Sequence, residues 1–276
     1  MTPGNNPEMP GGRKNRICRD IGNWMETIAP AGLAEPWDNV GWMAGNPDLP
    51  LSGILVCLNA TEERVREADS AGLNLIISHH PPIFSPLRSV TSDTREGRLA
   101  GLSWQVRVQI FSSHTNFDAV SSGLADLFAQ TLQLENILPF PGNGEGSIAA
   151  RGRFGMMCRP CVPEAFLLHL RRCLDVKTIR LVGSPPEEIE RVITQNGSYD
   201  REMLAFLKNG TADVLVTGDV KYHDALDLAQ AGIFTVDVGH FFSERIFVSS
   251  LADRISLAFP GLPVRRAEET DVYTSA

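Results

Sequence analysis

Short apolar runs, each bounded by turn-forming or capping residues, recur along the chain, and two groups of them follow one plan. Ile54–Leu58 is continuously apolar and predicts a buried strand. Thr61–Ala71 follows, with Thr61 at the capping position, Glu62 and Glu63 in the first turn and Gly72 as a stop, which together predict a helix. Leu73–Ser78 is a second apolar run, ended by Pro81-Pro82, and completes a βαβ unit whose strands are expected to be parallel. The plan returns 160 positions further on as a strand over Asp213–Thr217, a helix over Tyr222–Ala231 and a strand over Ile233–Val238. Both units pass an Ala-Gly turn and stop on imidazole, at His79-His80 and at His240.

Between and after these units the pattern predicts further elements. Val106, Val108 and Ile110 alternate with polar neighbours and predict a strand over Gln105–Ser112. Helices are expected over Gly123–Leu132, Pro163–Leu174 and Arg201–Lys208, and short strands over Thr178–Val182 and Arg191–Thr194. Glu244–Ala258 has the spacing of one long amphipathic helix. Alternating strands and helices imply an α/β fold, with two similar βαβ-containing halves in a layered α/β/α domain and a shared site between them. The expected organisation is a flexible tail over residues 1–16 and a single domain over 17–276. Within that domain the halves are 17–134 and 201–260, joined by a middle segment, 135–200, whose stretch 139–147 reads as a loop.

Composition bounds the function. With 276 residues, 43% hydrophobic and 21% charged, the chain has ordinary globular composition and length enough for a substantial core. A net charge of −8 does not favour a polyanion, so nucleic acid is not an expected partner. The first residues lack the apolar core of a secretory signal, and no apolar run approaches the ~18 residues that span a bilayer. A cytoplasmic protein without a membrane partner is therefore expected. Cys158-Arg159-Pro160-Cys161 lacks the second ligand pair of a structural zinc site, so the five cysteines are expected to be reduced thiols.

The candidate chemistry lies where strands end, which in open α/β sheets is where ligands gather. His79, His80, His114 and His240 all sit at such ends, and His114 and His240 each have a carboxylate four residues on, Asp118 and Glu244. Imidazole and carboxylate drawn from separated segments suit a divalent transition metal. Adjacent His79 and His80 point to different sides of a strand, so they could serve two neighbouring ions. So few side chains would leave coordination positions for water or substrate, which indicates chemistry more than a closed structural site. His169, alone on a helix, reads as an ordinary hydrogen-bonding residue.

Several blocks resemble the Nif-three-like dinuclear metal protein family, whose bacterial members are often labelled GTP cyclohydrolase I type 2. They are Pro36–Gly41, Ser78–Phe84, Ser113–Asp118, Thr217–Ala225 and Asp237–Glu244, in the family's order. The resemblance implies two divalent ions held by His79, His80, Asp118, His240 and Glu244, with Glu244 shared between them; mixed imidazole and carboxylate ligation suits Zn, Fe, Mn, Co or Ni. It implies a place beside the ions for His114, in an orienting or a proton-handling, catalytic role. Asp38, Lys221 and His223 match family blocks as residues that orient the ligands by hydrogen bonding or act directly in catalysis. It also implies a ring-shaped homohexamer and the compact form of the fold, without an inserted middle domain. The family's glycine-rich segment in the second half is here Gln195-Asn196-Gly197-Ser198. Gly142–Gly146 lacks the Lys-Ser/Thr ending of a phosphate-binding loop, so no nucleotide motif is legible. The function expected is a metal-dependent hydrolase acting on a nucleotide-like or cyclic amide substrate. The alternative is a non-catalytic metal-binding or regulatory protein.

Overall fold

A computed structural model describes residues 16–140, 152–208 and 210–274. Most of the expected tail and the Gly142–Gly146 stretch lie outside these residues. The strands are β1 (Gly41–Ala44), β2 (Ile54–Asn59), β3 (Leu75–His80), β4 (Gln109–Ser112), β5 (Glu135–Pro139) and β6 (Gly152–Cys161). They continue as β7 (Arg180–Val182), β8 (Ile189–Ser198), β9 (Val214–Gly218), β10 (Thr235–Asp237) and β11 (Val264–Arg266). Two sheets result, ordered β1-β4-β3-β2-β11 and β5-β6-β8-β9-β10-β7. The pairs β2–β3 and β9–β10 are parallel, as the two βαβ units require.

Period-two side-chain alternation explains why these strands are apolar on both faces. On the first sheet Ile54, Val56, Leu75 and Ile77 face one core, shared with Phe247, Leu251 and Ile255 of the Ile246–Ala258 helix. Leu55, Cys57 and Ile76 face the other, under Val65 and Leu99 from the Glu62–Ser70 and Arg95–Val106 helices. The second sheet repeats this arrangement, with Val214, Val216 and Val236 in one core and Ile193 and Leu215 in the other. The Leu124–Thr131 helix joins the two sheets: Leu124 belongs to the first sheet's core and Phe128 to the second's. The fold is thus mixed α/β with helices on both faces of each sheet, as expected from the sequence.

Several elements differ from the sequence reading. The strand expected over Gln105–Ser112 begins only at Gln109, because Gln105 and Val106 end the Arg95–Val106 helix. Arg107 caps that helix in the left-handed conformation, and the Val108 N–H bonds back to the Ser103 carbonyl at 3.1 Å. The alternation of Val106 and Val108 therefore straddled a helix end. The helix expected over Glu244–Ala258 is divided, with Glu244 closing a short His240–Glu244 helix before Ile246–Ala258 begins. Residues 135–200 supply β5 to β8 of the second sheet, and β11 crosses back to pair with β2. Among the described residues no helix is long and apolar enough to cross a membrane, and all five cysteines are free thiols.

Candidate metal centre

Parallel strands in register bring the site together. β3 ends on His79-His80, and Asn59 at the end of β2 pairs with His80. The turn after β4 carries His114, whose backbone N–H donates to Asn116 Oδ1 at 2.8 Å. β10 leads through Gly239, at φ 86°, into the His240–Glu244 helix, where the four-residue spacing sets His240 Nε2 2.8 Å from Glu244 Oε2. The Gly239 turn is pinned because Asp237 accepts from the Gly239 and Val220 N–H groups at 2.9 and 3.1 Å.

Each of these imidazoles commits its Nδ1. His79 Nδ1 lies 3.1 Å from the Ser113 carbonyl oxygen and His80 Nδ1 lies 2.9 Å from Asn59 Oδ1. His114 Nδ1 lies 2.9 Å from Asp38 Oδ1, and His240 Nδ1 lies 2.9 Å from Asp219 Oδ2. Carbonyl, amide and carboxylate oxygens only accept, so every Nδ1 donates and, in the neutral ring, every Nε2 is left with a lone pair. This is the arrangement in which metal-binding histidines are oriented by partners outside the coordination shell.

The Nε2 atoms converge on Glu244. Its Oε1 is 3.6 Å from His79 Nε2, and its Oε2 is 2.9 Å from His80 Nε2. His80 and His240 bring their Nε2 atoms within 3.3 Å of each other. Asp118 Oδ1 is 3.7 Å from His79 Nε2 and accepts from the Asn196 side-chain amide at 3.1 Å. His79 Nε2 is fully buried and has no hydrogen-bond partner. A buried lone pair facing two carboxylates repels them unless a proton or a metal cation lies between, and the imidazole and carboxylate donor set fits a metal. The ligand atoms of His79, His80 and His114 lie within 4.8 Å of one another, as do those of His80, His240 and Glu244.

The electrostatics agree. Burial works against a charged His240, yet the Glu244 charge and the hydrogen bonds to Asp219 and Glu244 outweigh it and raise its pKa to about 10. Burial likewise opposes ionisation of Glu244, but the His240, His79 and His80 charges hold it well below the ordinary carboxylate range. This pocket calls for positive charge, which a metal supplies in place of protons. Asp38 is desolvated, but the His114 hydrogen bond and charge, with two bonds from Thr115, bring its pKa down to about 2.

All of the sequence-predicted ligands, His79, His80, Asp118, His240 and Glu244, therefore meet in one place, with His114 beside them. Asp38 holds His114 through the Nδ1 hydrogen bond. Lys221 and His223 are exposed at the start of the Tyr222–Gln230 helix, and no hydrogen bond links either to the site among the described residues. His169 is not among the converging ligands; its Nε2–H donates to the Leu132 carbonyl at 2.8 Å. Sequence reasoning missed Asn59, Asp219, Asn196 and Gly197. Asn59 and Asp219 follow strands adjacent to the ligand-bearing ones, a position that could have flagged them. Gly197 sits at φ +68°, and a Cβ there would lie 2.4 Å from Glu244 Oε1. The Gln195–Ser198 segment is thus part of the wall of the site, with the Gly197 N–H donating to Ser243 Oγ at 2.9 Å.

Comparison with known proteins identifies the family and the fold. The sequence pattern of Duf34/NIF3 (NGG1p interacting factor 3) matches residues 17–271. The chain belongs to the Duf34/NIF3 family. Within that family it is 32% identical over 236 residues to a Clostridium perfringens protein named GTP cyclohydrolase 1 type 2 homolog, covering 86% of this chain and 90% of that one. A Lactococcus lactis protein of the same name is 30% identical over 247 residues, covering 88% and 93%. A Bacillus cereus protein related to NIF3 superposes with a TM-score of 0.83 at 22% identity, covering 95% of this chain and all (100%) of that one. A Staphylococcus aureus hypothetical protein gives 0.82 at 24% identity, covering 94% and 99%. These structural likenesses show the fold.

Two outcomes are expected. Gly197→Ala should cut the metal retained by the purified protein at least several-fold, because the new methyl displaces Glu244 and strains the backbone. Elemental analysis of the folded variant checks this, and undiminished metal would contradict the described wall. Asp38 is lowered from 3.8 to about 2 on folding, so its contribution to stability is present above pH 3.8 and is lost as pH falls towards 2. The stability gap between the wild type and Asp38→Asn, measured by urea unfolding, should accordingly shrink across that acid window.

Proposed function

We propose that this protein is a dinuclear, divalent-metal hydrolase acting on a small nucleotide-like or cyclic amide substrate. The reading is carried by the inward Nε2 atoms, above all the buried and unpartnered Nε2 of His79. His79, His80, Asp118, His240 and Glu244 would hold the ions. When bound, such ions acidify water and polarise a carbonyl or phosphoryl oxygen. The names of the Clostridium and Lactococcus relatives support the nucleotide-like class.

This chain's own residues supply the rest. His79 is wholly buried, whereas the His80 and His240 side chains keep 25% and 33% of their surface, so a substrate would approach from their side. A cavity of about 430 Å³ opens there, lined by His80, Asn59, Phe84 and Arg95 among others. His114, its Nδ1–H held by Asp38, presents Nε2 to accept a proton from the reacting group and return it to the leaving group. Asp38, kept ionised, stabilises the imidazolium formed between those steps.

The test assays metal-loaded wild type and His114→Ala against nucleotides, phosphoesters and cyclic amides. Wild-type turnover that falls about 100-fold or more in the variant, with metal retained, is expected. Retained metal with no wild-type turnover of any of these compounds would sink the hydrolase reading and favour a metal-holding or regulatory protein. We include in the proposal the ring-shaped homo-oligomer. Supporting it, Tyr222 and Leu226, one helical turn apart, remain 78% and 43% exposed and form an apolar face suited to a second copy. Light scattering should then return a multiple of 30.2 kDa, and a monomer mass would refute it.

A further inference from the structure

Beside His114, two large aromatic side chains are left half open to solvent. Trp37 is 51% exposed and Phe84 48%. Their ring centroids are 5.6 Å apart with planes 31° from parallel, and each ring lies edge-on to His114, at 6.2 and 6.4 Å. His114 in turn lies 5.5 Å from the His80 ring. The aromatic pair is therefore one imidazole removed from the candidate metal ligands.

The loops carrying these rings are held firmly although the rings are not covered. Next to Trp37, Asp38 is fixed by His114 and Thr115, and its own N–H donates to the Glu35 carbonyl at 2.9 Å. The Glu35 N–H donates to Thr115 Oγ1 at 2.9 Å. Asn39 ties the two loops together by donating to the Ile83 carbonyl, next to Phe84, at 2.6 Å. Polar clamps on a backbone whose aromatic side chain stays exposed hold a preformed surface, so little ordering cost remains when a ligand arrives. Phe84 also lines the cavity that reaches His80.

We infer that Trp37 and Phe84 form a stacking face for a planar, conjugated ring, placing a group attached to that ring beside His80 and His114. This rests on the hydrolase reading for its reacting end, and it narrows the substrate class to one with a flat heteroaromatic part. The two rings touch, so a third does not fit between them; the ligand lies against their open faces, over the cavity. Stacking fits because each ring offers a π-face at low conformational cost. An anion site at the far rim is a weaker reading, because Arg95 shares the cavity wall with Glu96.

The experiment titrates guanosine monophosphate, with ribose 5-phosphate as the ring-free control, into the full-length protein by calorimetry. Wild type, Trp37→Ala, Phe84→Ala and Trp37→Phe are compared, each metal-loaded and each after chelation, with metal content and assembly mass recorded. The nucleotide should bind wild type about 10-fold or more tightly than either alanine variant. Trp37→Phe should keep most of the affinity, and metal content should not change. The inference is overturned by undetectable nucleotide binding to wild type or by equal affinity in the alanine variants. Ribose 5-phosphate binding as tightly as the nucleotide would also overturn it. So would an altered assembly mass in the alanine variants, because the rings would then be an interface between copies. If chelated and loaded proteins prove identical because neither holds metal, the metal reading fails by itself, while the ring-dependent difference is still measured.

Discussion

The structure depends on one electrostatic constraint: a carboxylate buried among imidazole nitrogens that have already given their N–H groups elsewhere. Glu244 has only acceptors to offer, and the Nε2 atoms of neutral His79, His80 and His240 offer only acceptors in return. Packed at 2.8 to 3.6 Å, such groups hold together only around positive charge. The raised His240 and depressed Glu244 pKa values express the same demand. Removing a ligand would therefore leave the remaining buried groups uncompensated, a larger effect than the loss of one contact.

The surrounding fold serves that constraint. Parallel strands end together, so residues at equivalent ends become neighbours: Asn59 beside His80, and Asp219 beside His240. The three orienting acceptors around the Glu244-facing imidazoles differ, being a main-chain carbonyl for His79, a neutral amide for His80 and a carboxylate for His240. A carboxylate partner raises the basicity of the imidazole it orients, so His240 is held by an acceptor unlike those of its neighbours. Glycines allow the close approach. Besides Gly197, Gly218 lies where a Cβ would come within 2.7 Å of His240 N.

Much of this was legible in the sequence. The two βαβ units stood out because buried parallel strands are continuous apolar runs with sharp stops, as at Pro81-Pro82. The candidate ligands stood out because four imidazoles fall at strand ends and two of them have a carboxylate four residues on. Illegible elements had physical reasons. β1, β5 and β11 are short edge strands with little burial. β6 contains Arg153, Cys158 and Pro160, which break any alternation. Val106 and Val108 mimicked a strand across a helix cap. Asn196 acts only through a pair made across the fold, and a residue whose role is a hydrogen bond to Asp118, 78 positions away, leaves no local mark.

The return of β11 to the edge of β2 has a consequence for how the molecule is completed. β2 and β3 are made early, yet the Leu58 N–H finds its acceptor in Glu269, 211 residues later. His80 meets Glu244 across 164 residues. Contacts of such separation close large loops and are formed late, after local helices and hairpins have reduced the entropy still to be lost. As the chain leaves the ribosome, the early histidines wait for nearly the whole remaining polypeptide before their shared carboxylate arrives. The candidate metal centre is thereby tied to finishing the fold, and a chain truncated before residue 240 would lack both His240 and Glu244.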